Sequence, residues 1–238
     1  MCNYLIKTGD MDTSKDKAIE FLGQLPIFAE LPPSDLVNIA DHLEKRTYRR
    51  GAVVYHTQDT SDTVYFLTRG VVKISSESED GREIIKQVLH PYALFGEMCL
   101  VGQTHRKNDA VCMNAEVVLY EIPAAILRRV LFGNPRLSER FLQWIGKRLQ
   151  RTEARLEAMV FKDARARIID FLREAARRQG RRVGYEMLIK HCLTQQDIAN
   201  LTGTSRQTVT AVFNELKKAN LIYFNRRSIL IRDVAKLS

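Results

Sequence analysis

Between Tyr48 and about Ile122 the chain alternates short β-type runs with turn residues, and this pattern constrains the fold more than any other feature. Asp80-Gly81 favours the tight turn of a hairpin, so neighbouring runs are expected to pair as antiparallel strands. Many short strands at regular spacing are typical of a small sandwich or barrel. The predicted strands are residues 53–55, 64–67, 71–74, 84–89 and 117–120.

After Pro123 the apolar spacing becomes helical. Six positions follow one another at alternating steps of three and four residues, the a/d pattern of a coiled coil. We therefore predict a long helix that pairs two copies of the chain, although an amphipathic helix packed on its own domain has the same pattern. The predicted dimer interface consists of Leu142, Ile145, Leu149, Thr152, Leu156 and Met159. Asp163 interrupts this run as a hinge and as the cap of a second helix.

The segment from Thr194 to Leu221 predicts two helices joined by a tight turn. Thr194 and Ser205 can cap the two helices, and Gly203 supplies the left-handed conformation of the turn. The polar residues left outside suit base edges and phosphates, so we interpret the segment as a helix-turn-helix, with a structural hairpin as the alternative. The predicted DNA-binding residues here are Thr194, Gln195, Ser205, Arg206, Gln207, Thr210 and Asn214.

Residues 223–231 predict a β-hairpin with Arg226 and Arg227 at its tip. Such a hairpin is the wing of a winged helix-turn-helix, whose arginines would contact phosphates. A hairpin that only closes the domain fits equally well. The polar, glycine-punctuated stretch 177–184 is predicted to be a loop.

The excess positive charge is confined to one end of the chain. Residues 162–238 hold 16 basic and 7 acidic residues and thus the whole net charge of +9, whereas residues 1–161 hold 21 of each. This asymmetry predicts that the C-terminal third meets a polyanion, and with the helix-turn-helix it favours double-stranded DNA.

Other functional classes lack their signatures. No Ser/His/Asp set, phosphate-binding glycine loop or metal-ligand cluster is present, so the chain is not expected to be an enzyme or to bind a metal. The four cysteines are scattered, which argues against an iron–sulfur cluster. No apolar run is long enough to span a membrane and no signal peptide is evident, so a cytoplasmic protein is expected.

Three separate segments resemble the cyclic-AMP receptor protein/FNR superfamily of bacterial transcription regulators. The first is the β segment with Phe95-Gly96-Glu97-Met98. The second is the long helix that carries residues 148–152 and ends at Phe161-Lys162-Asp163, and the third is the helix-turn-helix with Ser205-Arg206. The resemblance implies an α+β fold with an effector-sensing β-roll (a double-stranded antiparallel jelly roll) over 1–133, a dimerisation helix and hinge over 134–162, and a winged helix-turn-helix over 163–238. It also implies a homodimer, RNA polymerase as a partner, and a small effector that reorients the DNA-binding domains through a population shift.

The resemblance places the effector pocket on Gly96, Glu97, Met98, Arg106, Lys107, Asn108, Asp109, Thr152 and Glu153. Members that bind cyclic AMP grip its phosphate with an Arg-Ser pair, which here falls on Asn108-Asp109, or on Arg106-Lys107 if the loop is shorter. Asp109 would repel a phosphate, and Glu153 stands where a serine is usual. Cyclic AMP is therefore not expected to be the effector. Each of the five histidines is a possible haem ligand, but a lone histidine is more often structural or solvated, so haem is not expected either. The alternatives are a ligand-independent regulator with a degenerate pocket and a cyclic-nucleotide-binding regulatory module, although the latter would not explain the helix-turn-helix. The effector, the operator, the regulated genes and the direction of regulation are not given by the sequence.

Overall fold

The computed structural model describes residues 8–29 and 31–237. They form two compact units. The first contains the described residues up to Val72 together with Leu89–Arg148, and the second contains Lys73–Val88 and the described residues from Leu149 onwards. The domain limits taken from the sequence, at 133/134 and 162/163, stay a prediction.

Seven α-helices and twelve strands occur in the described residues. In chain order they are α1 (Thr8–Gly23), α2 (Pro33–Ala40), β1 (Glu44–Arg49), β2 (Val53–Tyr55), β3 (Thr63–Arg69), β4 (Val72–Glu77), β5 (Glu83–Leu89), β6 (Ala93–Phe95), β7 (Asp109–Cys112), β8 (Glu116–Pro123), α3 (Ala124–Gly133), α4 (Pro135–Phe161), α5 (Ala164–Gln179), β9 (Arg181–Val183), β10 (Glu186–Lys190), α6 (Gln195–Thr202), α7 (Arg206–Lys218), β11 (Ile222–Phe224) and β12 (Ser228–Ile231). Two short 3₁₀ helices, Glu97–Val101 and Val234–Lys236, complete the list.

The first unit is built on the antiparallel sheet β1-β8-β3-β6. Strand β3 lies inside this sheet because four consecutive residues, 64–67, are apolar or aromatic and buried on both faces. Its register places Tyr65 opposite Phe95 and Phe66 opposite Tyr120. Strands β2 and β7 belong to another four-stranded sheet, in which they pair antiparallel with a bulge between Val53 and Tyr55. The strands predicted from sequence are confirmed, whereas β1, β6 and β7 were missed.

The helices of the first unit close over one face of this sheet. Phe28 and Phe66 meet with ring centroids 5.8 Å apart. The N-terminal half of α4 joins the same core through Leu137 and Phe141, each 1% exposed. Because burying such side chains contributes about 1.5–3 kcal/mol each, this half of α4 is anchored in its own unit.

The second unit combines the β4–β5 hairpin, the C-terminal half of α4, and a winged domain whose sheet runs β11-β12-β10-β9. Helices α5 and α7 pack with that sheet, and Phe213 meets Phe224 edge-to-face at 5.1 Å. The predicted loop at 177–184 is wrong. Helix α5 continues to Gln179, and residues 181–183 form β9, an exposed edge strand. An edge strand with no buried face shows no apolar alternation, so its sequence looks like a loop.

Asp163 begins α5 as predicted, and its carboxylate accepts a hydrogen bond from the amide of Ala166 at 2.7 Å. We expect Asp163→Ala to lower the free energy of unfolding by about 1 kcal/mol, because an amide of the first turn loses its acceptor. Chemical denaturation followed by far-UV circular dichroism measures this. Asp163→Asn keeps the acceptor and is the control. An equal loss in both variants would contradict a capping role.

Candidate nucleic-acid interface and effector pocket

Two capped helix starts and one left-handed residue define the helix-turn-helix. Thr194 and Asp197 form a reciprocal capping box at the start of α6, with N–H···O distances of 3.1 and 2.8 Å. Ser205 caps α7 by accepting from the amide of Thr208 at 3.0 Å. Between the helices Gly203 has φ +63°, which costs other residues about 1–2 kcal/mol. The local chemistry that predicted the motif is therefore present in the structure.

Helices α6 and α7 pack closely through small and apolar residues. Ala199 and Val209 are both fully buried, so the two helices behave as one packed element. The buried face of α7 continues with Val212, Phe213 and Leu216.

Arg167 of α5 binds the turn, a role that the sequence did not reveal. Its guanidinium donates to the carbonyl oxygens of Thr202 at 2.8 Å and Gly203 at 3.0 Å, and to that of Lys162 at 2.6 Å. These bonds use the unpaired carbonyls at the end of α6. No spacing rule links an arginine in one helix to a turn 35 residues later, so only the structure could find it.

The outward face of α7 is polar and open. Arg206, Gln207 and Asn214 are exposed, and each carries donors that can reach base edges. Ser205, predicted to bind DNA, is exposed but also used as the cap. Helix α7 therefore presents two long polar side chains at its N-terminal end and one about two turns later.

Thr210 is placed differently from its neighbours on α7. It is half-buried, and its hydroxyl lies 2.7 Å from Oε1 of Gln195 and 2.9 Å from the carbonyl oxygen of Arg206. Its polar atom thus joins α6 to α7 inside the protein. The expectation that Thr210 and Gln195 contact DNA stays a prediction.

The wing is the β11–β12 hairpin. Arg226 and Arg227 at its tip are exposed, and Asn225 holds the turn by accepting from the amides of Arg227 at 2.8 Å and Ser228 at 2.9 Å. The predicted hairpin is confirmed, and the phosphate contacts stay a prediction.

The effector-pocket candidates centre on a buried carboxylate. Glu97 follows Gly96, whose φ of +73° turns the chain into a 3₁₀ helix, and Glu97 is 1% exposed. Arg148 of α4 forms an ion pair with it. Burial raises the pKa of Glu97, while the charge of Arg148 acts in the opposite direction. Arg148 was not among the predicted pocket residues because it looks like a solvated helix position.

Arg106 occupies the interior of the same unit and is only 3% exposed. Its guanidinium donates to the carbonyl oxygens of Gly96 at 2.8 Å and Thr63 at 2.5 Å, and lies 4.4 Å from the ring centroid of Tyr55. A Cβ at Gly96 would approach this guanidinium to 2.9 Å, so the glycine makes room for it. The arginine is therefore held by the protein itself.

The other pocket candidates are spread over both units. Asp109 accepts from the amide of Thr57 at 2.8 Å, and Lys107 and Met98 are exposed. Thr152 and Glu153 belong to the second unit and are exposed there. Of the predicted set, the structure brings together Gly96, Glu97 and Arg106; Asn108 is half-buried near the start of β7.

An apolar stripe on α4 faces away from the chain's own core. Leu142, Leu149 and Leu156 are 68, 57 and 64% exposed. Ile145 is half-buried in the first unit and Met159 partly packs near Gly203, so these two also serve the monomer. Exposed leucines at seven-residue steps are what a paired helix buries.

Among the described residues, no three His, Cys, Asp or Glu side chains are grouped so that they could hold a metal ion. Within the same part of the chain, no helix is long and apolar enough to cross a membrane.

Two family models match the sequence in the order of the structural elements. Residues 45–134 match the cyclic nucleotide-binding domain, and residues 166–238 match the Crp-like helix-turn-helix domain. A CRP-like cAMP-activated global transcriptional regulator of Mycobacterium tuberculosis is 30% identical over 219 residues, covering 92% of this chain and 97% of the relative. The chain belongs to the CRP/FNR family of DNA-binding transcription regulators. The predicted family and fold class are confirmed.

Other proteins similar to this chain differ in what their names describe. The global nitrogen regulator of Synechococcus elongatus is 28% identical over 197 residues, covering 82% of this chain and 89% of the relative. Among solved structures, FixK2 of Bradyrhizobium japonicum has a TM-score of 0.74 at 20% identity, covering 82% of this chain and 95% of its own. The c-di-GMP responsive regulator CLP of Xanthomonas campestris has a TM-score of 0.72 at 22% identity, covering 84 and 99%. At these identities the two structures show the fold alone.

Proposed function

We propose that this CRP/FNR member is a homodimer that recognises a two-fold symmetric DNA site and regulates transcription in the bacterial cytoplasm together with RNA polymerase. The observation that carries the proposal is the open polar face of α7, with Arg206, Gln207 and Asn214 exposed beside a basic wing. Base readout in the major groove uses such side chains on a helix of this kind. The excess positive charge of residues 162–238 supplies the phosphate attraction.

The apolar stripe on α4 supports the proposed homodimer. Three leucines at seven-residue steps are more than half exposed in the monomer. Contact of this apolar surface with water is unfavourable, and pairing of two α4 helices would bury it. A second copy of the chain is the occupant that matches this repeat, because the same stripe faces itself across a two-fold axis. Two-fold symmetry of the protein then implies two-fold symmetry of the operator.

Selection of bound sites from a random duplex DNA pool, with purified protein and no added ligand, tests the proposal. We expect enrichment of a two-fold symmetric sequence. If no sequence is enriched, the selection is repeated with a pool of metabolites added, to supply a required effector. A pool that stays random in both conditions would contradict sequence-specific binding.

The effector is proposed to be a small molecule other than cyclic AMP. The names of similar proteins include both a cAMP-activated regulator and a global nitrogen regulator, so the likeness does not fix the effector. In this chain the buried carboxylate of Glu97 is paired with Arg148, and Arg106 is held by two carbonyl oxygens and an aromatic ring. A cyclic phosphate would have to displace these internal partners.

We expect isothermal calorimetry to detect no binding of cyclic AMP at micromolar concentration. The reason is that Asp109, at the position of a phosphate-binding residue in cAMP-binding relatives, is acidic, and Arg106 is already engaged. The Mycobacterium tuberculosis relative, named for its activation by cAMP, provides the positive control for the titration. A saturable micromolar isotherm with this chain would reverse the conclusion.

A regulator that needs no ligand is the second candidate. The same internal contacts favour it, because Glu97 and Arg106 already have the partners that a ligand would otherwise provide. A thermal-shift panel of nucleotides and metabolites separates the two candidates, since a ligand that binds only the native state raises the melting temperature. A concentration-dependent rise for any compound favours the sensor, and no rise across the panel favours the ligand-independent regulator.

A further inference from the structure

The β4–β5 hairpin of the second unit contains a partly buried ion pair. Lys73 on β4 and Glu83 on β5 are joined by an N–O distance of 2.6 Å, and their side chains are only 17 and 26% exposed. Hydrogen bonds from Lys73, Ser75 and Asn200 hold the pKa of Glu83 below its ordinary value, against the opposing effect of burial. The carboxylate is therefore ionised near neutral pH and able to accept more than one donor.

The same two side chains also reach α6, the first helix of the helix-turn-helix. The amide of Asn200 donates to the second oxygen of Glu83 at 2.9 Å, and the Lys73 ammonium lies 3.8 Å from the Asp197 carboxylate. Asp197 also forms the capping box with Thr194, so the Lys73 ammonium lies near the start of α6. Charge-assisted hydrogen bonds between partly buried side chains are sensitive to geometry. If one partner moves by about an ångström, a desolvated charge is left without its partner.

Arg155 of α4 adds a second connection at the other end of α6. Its guanidinium donates to the carbonyl oxygens of Ile85 at 2.8 Å and Lys86 at 2.6 Å on the hairpin, and to that of Leu201 on α6. Burial lowers the pKa of this guanidinium. A planar fork of fixed donors suits such bridging, because it sets the angle between the two segments as well as their separation.

These contacts leave the DNA-facing side of α7 open. Arg206, Gln207 and Asn214 take no part in them and are exposed. Since α6 and α7 pack as one element, a restraint on α6 also fixes the direction of α7. The restraint therefore acts on the recognition helix without occupying the residues that would read the bases.

We propose that Lys73, Glu83 and Arg155 are positioning residues for DNA binding: they fix the orientation in which the helix-turn-helix meets its half-site. The proposal rests on the proposed homodimer and two-fold operator, because two recognition helices must match the separation of two half-sites. Fixing their orientation before binding removes conformational freedom that would otherwise be lost on the DNA. We call the set Lys73, Glu83, Arg155, Asp197 and Asn200 the hairpin latch.

The experiment measures the DNA affinity of the wild-type chain and of Glu83→Ala. The DNA is the operator selected by the wild type, together with derivatives whose half-sites lie one or two base pairs closer together or further apart. We expect Glu83→Ala to bind the optimal spacing about tenfold more weakly and to discriminate less against wrong spacings, since a less restrained domain adapts to more separations. Glu79→Ala, which removes the same charge from an exposed position of the hairpin, is the matched control and should behave as wild type.

Combining Glu83→Ala with Asn200→Ala separates positioning from a general loss of stability. We expect the double variant to bind DNA no more weakly than the weaker of the two single variants. The reason is that both substitutions remove the same hydrogen bond, between Glu83 and Asn200. If Glu83→Ala does not fold, Asn200→Asp, which places a second carboxylate against Glu83, tests the same contact. Additive effects with an unchanged spacing preference would overturn the proposal, and so would tighter binding by Glu83→Ala. Failure of the wild type to select a two-fold site would instead refute the proposed function.

Discussion

Replacing Leu149 by aspartate is expected to convert the proposed dimer into a monomer and to weaken binding to a two-fold site by about 100-fold. Leu149 is 57% exposed and lies in the middle of the α4 stripe, so the change leaves the core of the monomer intact. In a paired helix the new carboxylate would meet its symmetry mate in a desolvated seam, where like charges repel strongly. Loss of the second half-site removes an avidity gain of about 10²–10⁴.

Analytical ultracentrifugation and binding to full and half operators measure the two consequences. Gln150→Asp introduces the same charge at the next exposed position and should stay dimeric. The monomer should bind a single half-site as the wild type does, because its recognition helix is unchanged. A Leu149→Asp protein that sediments as a dimer would show that the stripe is not the interface.

Replacing Arg206 by alanine is expected to cost about 1–3 kcal/mol in operator affinity and to relax the preference at one base position in each half-site. Arg206 is the first residue of α7, directly after its cap, and it is exposed. From this position a guanidinium can donate to both acceptors of a guanine in the major groove. Thermal stability should be unchanged because the side chain supports no packing.

Competition binding with operators substituted at each position provides the measurement. Arg226→Ala in the wing is the comparison. If Arg226 contacts a phosphate, its loss should weaken binding to all sequences alike and should reduce the slope of log affinity against log salt concentration by about one. If Arg206→Ala produced the uniform loss instead, Arg206 would be a phosphate contact and base recognition would lie with Gln207 and Asn214.

The parts of the fold that follow from local chemistry could be predicted from the sequence. Thr194, Gly203 and Ser205 define the helix-turn-helix because capping and left-handed turns depend on residues within one turn of each other. Gln58 also adopts a left-handed conformation, with a φ of +75°. Residues other than glycine rarely take this conformation, so the residue type did not predict it.

Contacts between distant residues could not be predicted in this way. Arg106 resembles any loop arginine in sequence, yet it is buried against Tyr55, and Arg148 reaches a carboxylate 51 residues away. Both side chains are charged, so the periodicity of the apolar residues does not show where they lie. Their partners are brought close by the tertiary fold. Only part of the candidate pocket was therefore accessible before the structure.

Arg167 makes the junction between the long helix and the DNA-binding domain a discrete joint. Its guanidinium bonds at once to the carbonyl of Lys162, just after α4, and to those of Thr202 and Gly203 in the turn. A change of direction at residues 162–163 has to break one side of this bridge, and each charge-assisted bond is worth about 1.5–3 kcal/mol. The angle between α4 and the helix-turn-helix is thus expected to take a few separate values, with a barrier between them, and not to vary smoothly.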